Sequence, residues 1–76
     1  MADIPDELIK LERSAEEARV KLAGLDGEAY EAQWARWWEA AVVFQAAVTA
    51  AAAESGTSRV ELEMSVKKVV RHAAAA

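Results

Sequence analysis

The sequence predicts an all-α protein: an antiparallel helical hairpin followed by a shorter C-terminal helix, a three-helix bundle assembled as a dimer. Three observations lead there. Apolar residues recur at alternating spacings of three and four, the signature of a helix face. The interruptions between these runs are short and rich in Gly and Ser. The middle run is apolar on more sides than two neighbouring helices can cover.

The first helix is expected over about 5–23. Pro5 sits at an early position where its missing N–H costs nothing, and Asp6 and Glu7 lie near the positive end of the helix dipole. Leu8, Leu11, Ala15, Ala18, Leu22 and Leu25 then form an a/d seam, with Glu12, Glu16, Arg13 and Glu17 on the outside. Gly24-Leu25-Asp26-Gly27 closes the run: one glycine ends the helix and Asp26 is placed to cap the next. So short a connection predicts an antiparallel hairpin.

The second helix is expected over about 27–54. Tyr30, Trp34, Trp37, Ala41, Phe44, Val48 and Ala51 continue the three-four spacing and are read as the face toward the first helix. Trp34 and Trp37 are read as core, large residues set against the small Ala15 and Ala18. Trp38 falls off the centre of that stripe, toward Val42. Beyond Ala41, apolar side chains fill the other faces, and no charge appears until Glu54. A second copy of the chain is the expected cover. The predicted interface is Trp38, Val42, Val43, Ala46, Ala47 and Ala50, with Gln45 able to set register as a buried polar group or to be bonded within its own chain.

Ser58-Arg59-Val60-Glu61 fits a capping box, so a third helix is expected over about 58–72, with 73–76 a frayed alanine tail. Val60, Leu62, Met64 and Val66 also alternate with polar residues, so a strand over 59–66 is the alternative. As a helix, this segment sets Leu62, Val66, Val69 and Ala73 on one face, with Val70 beside it, and leaves Val60 and Met64 outside.

Composition bounds the function. The 76 residues are 54% hydrophobic and 29% charged, too apolar for a disordered chain and too charged for a membrane protein. They read as one helical domain. Nineteen alanines thin the core, and a core this small seldom supplies more than about 3–5 kcal/mol, which favours association. The absence of cysteine removes disulfides, thiolate metal sites and a thiol nucleophile. Acid at Asp3, Asp6 and Glu7, where a signal peptide carries base, predicts a cytoplasmic protein. The nearly uncharged run from Ala40 to Ala53 is shorter than the roughly 20 residues a membrane crossing needs.

No catalytic constellation stands out. His72 has no second His for a metal site, and adjacent acids such as Glu16 and Glu17 read as a solvated helix face. No phosphate loop, nucleophile elbow or metalloprotease spacing occurs, and a bundle this small is expected to lack a pocket of about 300 Å³ or more. No cofactor, metal or small-molecule substrate is expected. The leading reading is a small non-catalytic interaction or adaptor protein that self-associates and presents a helical surface to a protein partner.

The runner-up rests on Ala52 to Arg59 followed by Leu62 and Val66, which resembles the turn of a helix-turn-helix motif over about 45–71. It implies a small DNA-associated regulator with Arg59, Lys67, Lys68 and Arg71 on phosphates. Two features depart from the motif: Glu61 and Glu63 at the start of the reading helix, and Thr57 where an apolar residue is usual. The net charge of −4 also works against binding a polyanion.

Overall fold

The computed structural model describes residues 4–75. Three helices account for nearly all of them: α1 (Asp6–Val20), α2 (Gly27–Ser55) and α3 (Arg59–Ala75). No strand occurs among the described residues, and 59–66, the segment with a strand alternative, is helical. Each helix touches both others. At about 1.5 Å per residue the 29-residue α2 runs the full 43 Å of the molecule's longest dimension, while the thinnest measures only 16 Å. Three helices spread over so thin a body leave one side of the longest exposed.

Local chemistry sets the ends. The Pro5 carbonyl accepts from Leu8 and Ile9, with Asp6 and Glu7 in the first turn of α1. Helix α1 stops at Val20, earlier than the expected residue 23, because the chain tightens into three-residue turns there. Leu22 donates to the Arg19 carbonyl (3.1 Å) and Ala23 to that of Val20 (3.2 Å). Asp26 stands at the start of α2, but its side chain makes no cap bond, contrary to expectation. Gly56, at φ 69°, ends α2 in a left-handed turn closed by the Thr57 N–H on the Ala52 carbonyl (3.1 Å). Ser58 opens α3 with one long bond from the Glu61 N–H (3.5 Å), half of a capping box. Helix α3 continues to Ala75, past the predicted end at 72, where high alanine propensity extends it; residue 76 lies outside the described residues.

The core sits where all three helices overlap: Leu8 from α1, Phe44, Val48 and Ala52 from α2, Leu62 and Val66 from α3. Phe44, Val48 and Val66 are fully enclosed. Each such side chain contributes about 1.5–3 kcal/mol of transfer free energy, so this cluster outweighs any single polar contact in the fold.

Two readings of helix faces are corrected. Glu12, expected outside, is buried, because α3 closes over that flank of α1 and brings Lys67 Nζ to 3.7 Å from its Oε2. Tyr30 and Trp34, expected against α1, are 40% and 42% exposed, and Trp37 is only half-buried. Gln33 takes the inward place instead and donates through Nε2 to the Ala18 carbonyl at 2.8 Å. The α1 seam also weakens toward its end: Leu22 is half-buried and Leu25 exposed, since α1 has already stopped. On α3 the inward row runs through Leu62, Val66 and Val70 at steps of four, so Val70 is buried and Val69, expected on that face, is exposed.

Candidate interaction surface

Positions 35, 39, 42, 46, 49 and 53 are spaced by four, three, four, three and four, the repeat of a single helix face, and all six are exposed. They carry Ala35, Glu39, Val42, Ala46, Thr49 and Ala53. This is the side of α2 turned away from Phe44 and Val48. Trp38 and Val43 flank the strip at 54% and 47% exposure, and Val42 within it stands at 48%. Of the six predicted interface residues, Trp38, Val42, Val43, Ala46 and Ala50 lie on this open side. Ala47 does not: it is half-buried against the core cluster, one step round the helix toward α1 and α3.

The aromatic end of the surface is built rigidly. Trp34 and Trp38, one helical turn apart, stack with planes 3° apart and ring centres at 5.7 Å, and Trp37 meets Trp34 edge-on at 6.1 Å. Such pairing holds a large aromatic platform beside water without help from another helix. Downstream the same side carries only Val, Ala and Thr, so the surface passes from bulky to small along α2.

Gln45 is bonded within its own chain, to the Arg59 guanidinium, and is thereby unavailable as a buried register residue. Arg59 Nε also donates to Thr49 Oγ1 (3.0 Å), and its Nη1 lies 3.3 Å from Glu63. Lys67 is likewise engaged, between Glu12 and the face of the Phe44 ring, with its nitrogen 5.7 Å from the ring centre. Of the four basic residues predicted for phosphate contact, Arg59 and Lys67 therefore serve internal contacts, while Lys68 and Arg71 are exposed, Arg71 at the rim of the cleft that holds Glu12 and Glu16.

The charged groups at the helix junction have opposed electrostatics. Burial pushes the Glu12 carboxyl above its ordinary 4.5, outweighing the pull of Lys67. One turn on, Glu16 is held below that value by hydrogen bonds from Arg19 at 2.6 and 3.0 Å. Glu12, Glu16, Trp37, Phe44, Lys67 and Arg71 surround a cleft of about 250 Å³ whose carboxylates already have partners. Larger clefts, of about 330 Å³ by Leu11 and Val43 and about 400 Å³ by Met64 and Lys68, exceed the size expected of so small a bundle. Both are grooves along helix flanks, and a groove of that form does not enclose a ligand. Among the described residues no group of three or more His, Asp or Glu side chains is placed to hold a metal ion, and no helix is long and apolar enough to cross a membrane.

The sequence reading missed Glu12 and Gln33 as inward polar residues. A signal existed for both: Leu8, Glu12 and Ala15 share a four-three spacing, as do Gln33, Trp37, Ala40 and Phe44. A scan against protein-family models and searches of curated proteins and of solved structures return no match to this chain.

Proposed function

We propose that the chain is a small, non-catalytic, cytoplasmic helical module that associates with a second copy through the outer side of α2 and offers the assembled helices to a protein partner. In this reading α1 and α2 form an antiparallel hairpin. The Gln33 to Ala18 bond near the turn, and the sharing of one core cluster by Leu8 and Phe44 far from it, support that arrangement.

The observation that carries the reading is the half-exposure of Trp38, Val42 and Val43 on one side of α2, continuous with Ala46 and Ala50. Surface area supports it. The chain exposes 5500 Å², whereas a compact monomer of 8.2 kDa would expose about 4500 Å². The excess is close to the roughly 800 Å² that each partner buries in a standard interface. Sedimentation equilibrium over a concentration series tests this. A dimer is expected, and Val42→Glu with Val43→Glu should yield a monomer of unchanged helicity. A wild-type chain that stays monomeric throughout, while melting cooperatively, overturns the reading.

A second reading, a DNA-associated regulator, draws on Lys68 and Arg71, which project together beside the Met64 groove. With Arg59 and Lys67 committed internally, few phosphate contacts remain, so it predicts weak and steeply salt-dependent duplex binding. Lys68→Ala with Arg71→Ala should abolish such binding, and no retention at low salt ends this reading.

A further inference from the structure

Resting on the self-association reading, we infer that two copies pair their α2 helices antiparallel about a two-fold axis level with Phe44, in a register set by Arg36–Glu54 pairs between chains. The surface is graded: Trp38 and the two valines occupy its first half, alanines and Thr49 its second. Reversing one copy against the other seats the large residues of the strip on small ones. Trp38 then rests over the partner's Thr49, and Val42 over the partner's Ala46. A two-fold contact must be self-complementary in this sense. Parallel, in-register pairing instead sets Trp38 on Trp38 and alanine on alanine, which separates the helices at one end and leaves voids at the other.

Charge selects the same orientation. Arg36 and Glu54 are eighteen residues apart, five full turns, so both stand on one edge of the exposed side. Both are exposed. About an axis level with Phe44 that edge meets its own copy reversed, and Arg36 of each chain comes beside Glu54 of the other, twice per dimer. On the opposite edge Arg59, anchored to Thr49, lies beneath the arriving Trp38, where a guanidinium against an indole face is favourable. Parallel pairing would set Glu39, near the middle of the strip, against its like, which is destabilising, and would carry the Arg36–Glu54 edges of the two copies to opposite sides of the pair, where neither meets the other.

Cross-linking tests orientation directly, because the chain contains no cysteine of its own. Ala35 and Ala53 are exposed, small and symmetric about the level of Phe44. In the antiparallel pair Ala35 of one chain faces Ala53 of the other, while the two copies of Ala35 stand about 27 Å apart along the helices, far beyond the roughly 7 Å a disulfide spans between Cα atoms. Mixing Ala35→Cys with Ala53→Cys protein under oxidation should give the mixed cross-linked dimer, and neither variant alone should cross-link. Cross-linking of each variant with itself overturns the orientation while leaving self-association standing. A dimer by sedimentation that forms no cross-link in any combination overturns the register. A monomer by sedimentation removes the underlying reading instead. Arg36→Glu should weaken dimerisation by about tenfold or more, and adding Glu54→Arg in the same chain should restore it. Failure of the double variant to recover refutes the charge pairing.

Discussion

Val43 and Val48 lie five residues apart on α2, have the same side chain, and meet opposite fates: Val48 is fully enclosed and Val43 is 47% exposed. The difference is one of geometry around the helix. Leu8 from α1 and Leu62 and Val66 from α3 converge on the side that carries Phe44, Val48 and Ala52, and none of them reaches the side of Val42, Val43 and Ala46. Hydrophobicity therefore states that both valines gain from burial, whereas the number of neighbouring helices decides which one obtains it from its own chain. One side of α2 builds the fold, and the other is left open.

Substitutions should separate the two sides cleanly. Phe44→Ala is expected to cost about 3–5 kcal/mol, from lost burial plus the cavity left behind, read as a shift of the urea midpoint at unchanged slope. That is a large share of the stability of so small a chain, so partial unfolding at room temperature is expected. If Phe44→Ala melts like the parent, the inward side is not the core.

Lys67→Ala comes next, at about 1–3 kcal/mol near neutral pH. It strips the buried Glu12 carboxylate of its counter-charge, and the figure is kept below that of a wholly buried pair because Lys67 itself remains one-third exposed. Acid should relieve the defect. Glu12 titrates above 4.5 in the folded chain, so the folded state takes up its proton before the unfolded state does. The penalty of its buried charge is thus present above the folded pKa and fades as pH falls toward 4.5. Glu16 has the opposite sign: its bond with Arg19 stabilises above 4.5 and is lost as pH falls through its depressed folded pKa. Glu12→Gln should remove the acid-side gain and leave the Glu16 loss visible, which unfolding free energies from urea melts across pH 3 to 7 would record as a difference of about a few tenths to one kcal/mol between the variant and its parent.

Smaller effects sharpen the contrast. Gln33→Ala is expected to cost about 1 kcal/mol, the worth of one part-buried hydrogen bond, and to loosen the turn end, seen as faster amide exchange around Ala18. Val43→Ser on the outward side should change folding by no more than about 0.5 kcal/mol in dilute solution. A cost near that of Phe44→Ala would mean that Val43 is buried after all.

Much of the helix layout was legible because helix formation is local. Pro5, Gly56 and Ser58 mark boundaries through backbone chemistry that needs no distant partner, and α2 and α3 begin within a residue of the expected positions. The outward exposure of Val42, Val43, Val60 and Met64 was also readable, because an apolar surplus can be counted from the sequence. The facing of Trp34 and Gln33 was not. Both fit a three-four stripe, and the stripes lie so close in angle that only the path of α1 against α2 separates them.

What the amino-acid order alone determined is thus the set of helices, where each begins, and the excess of apolar perimeter on the middle one, all properties of spacing along a chain. Only the tertiary structure decided that Gln33 and not Trp34 faces α1, that Glu12 and Lys67 meet beneath α3, and that Arg59 is tied to Gln45 and Thr49. These follow from the lateral placement of α1 and α3. That placement is a balance among many contacts remote in sequence, and periodicity carries no information about it.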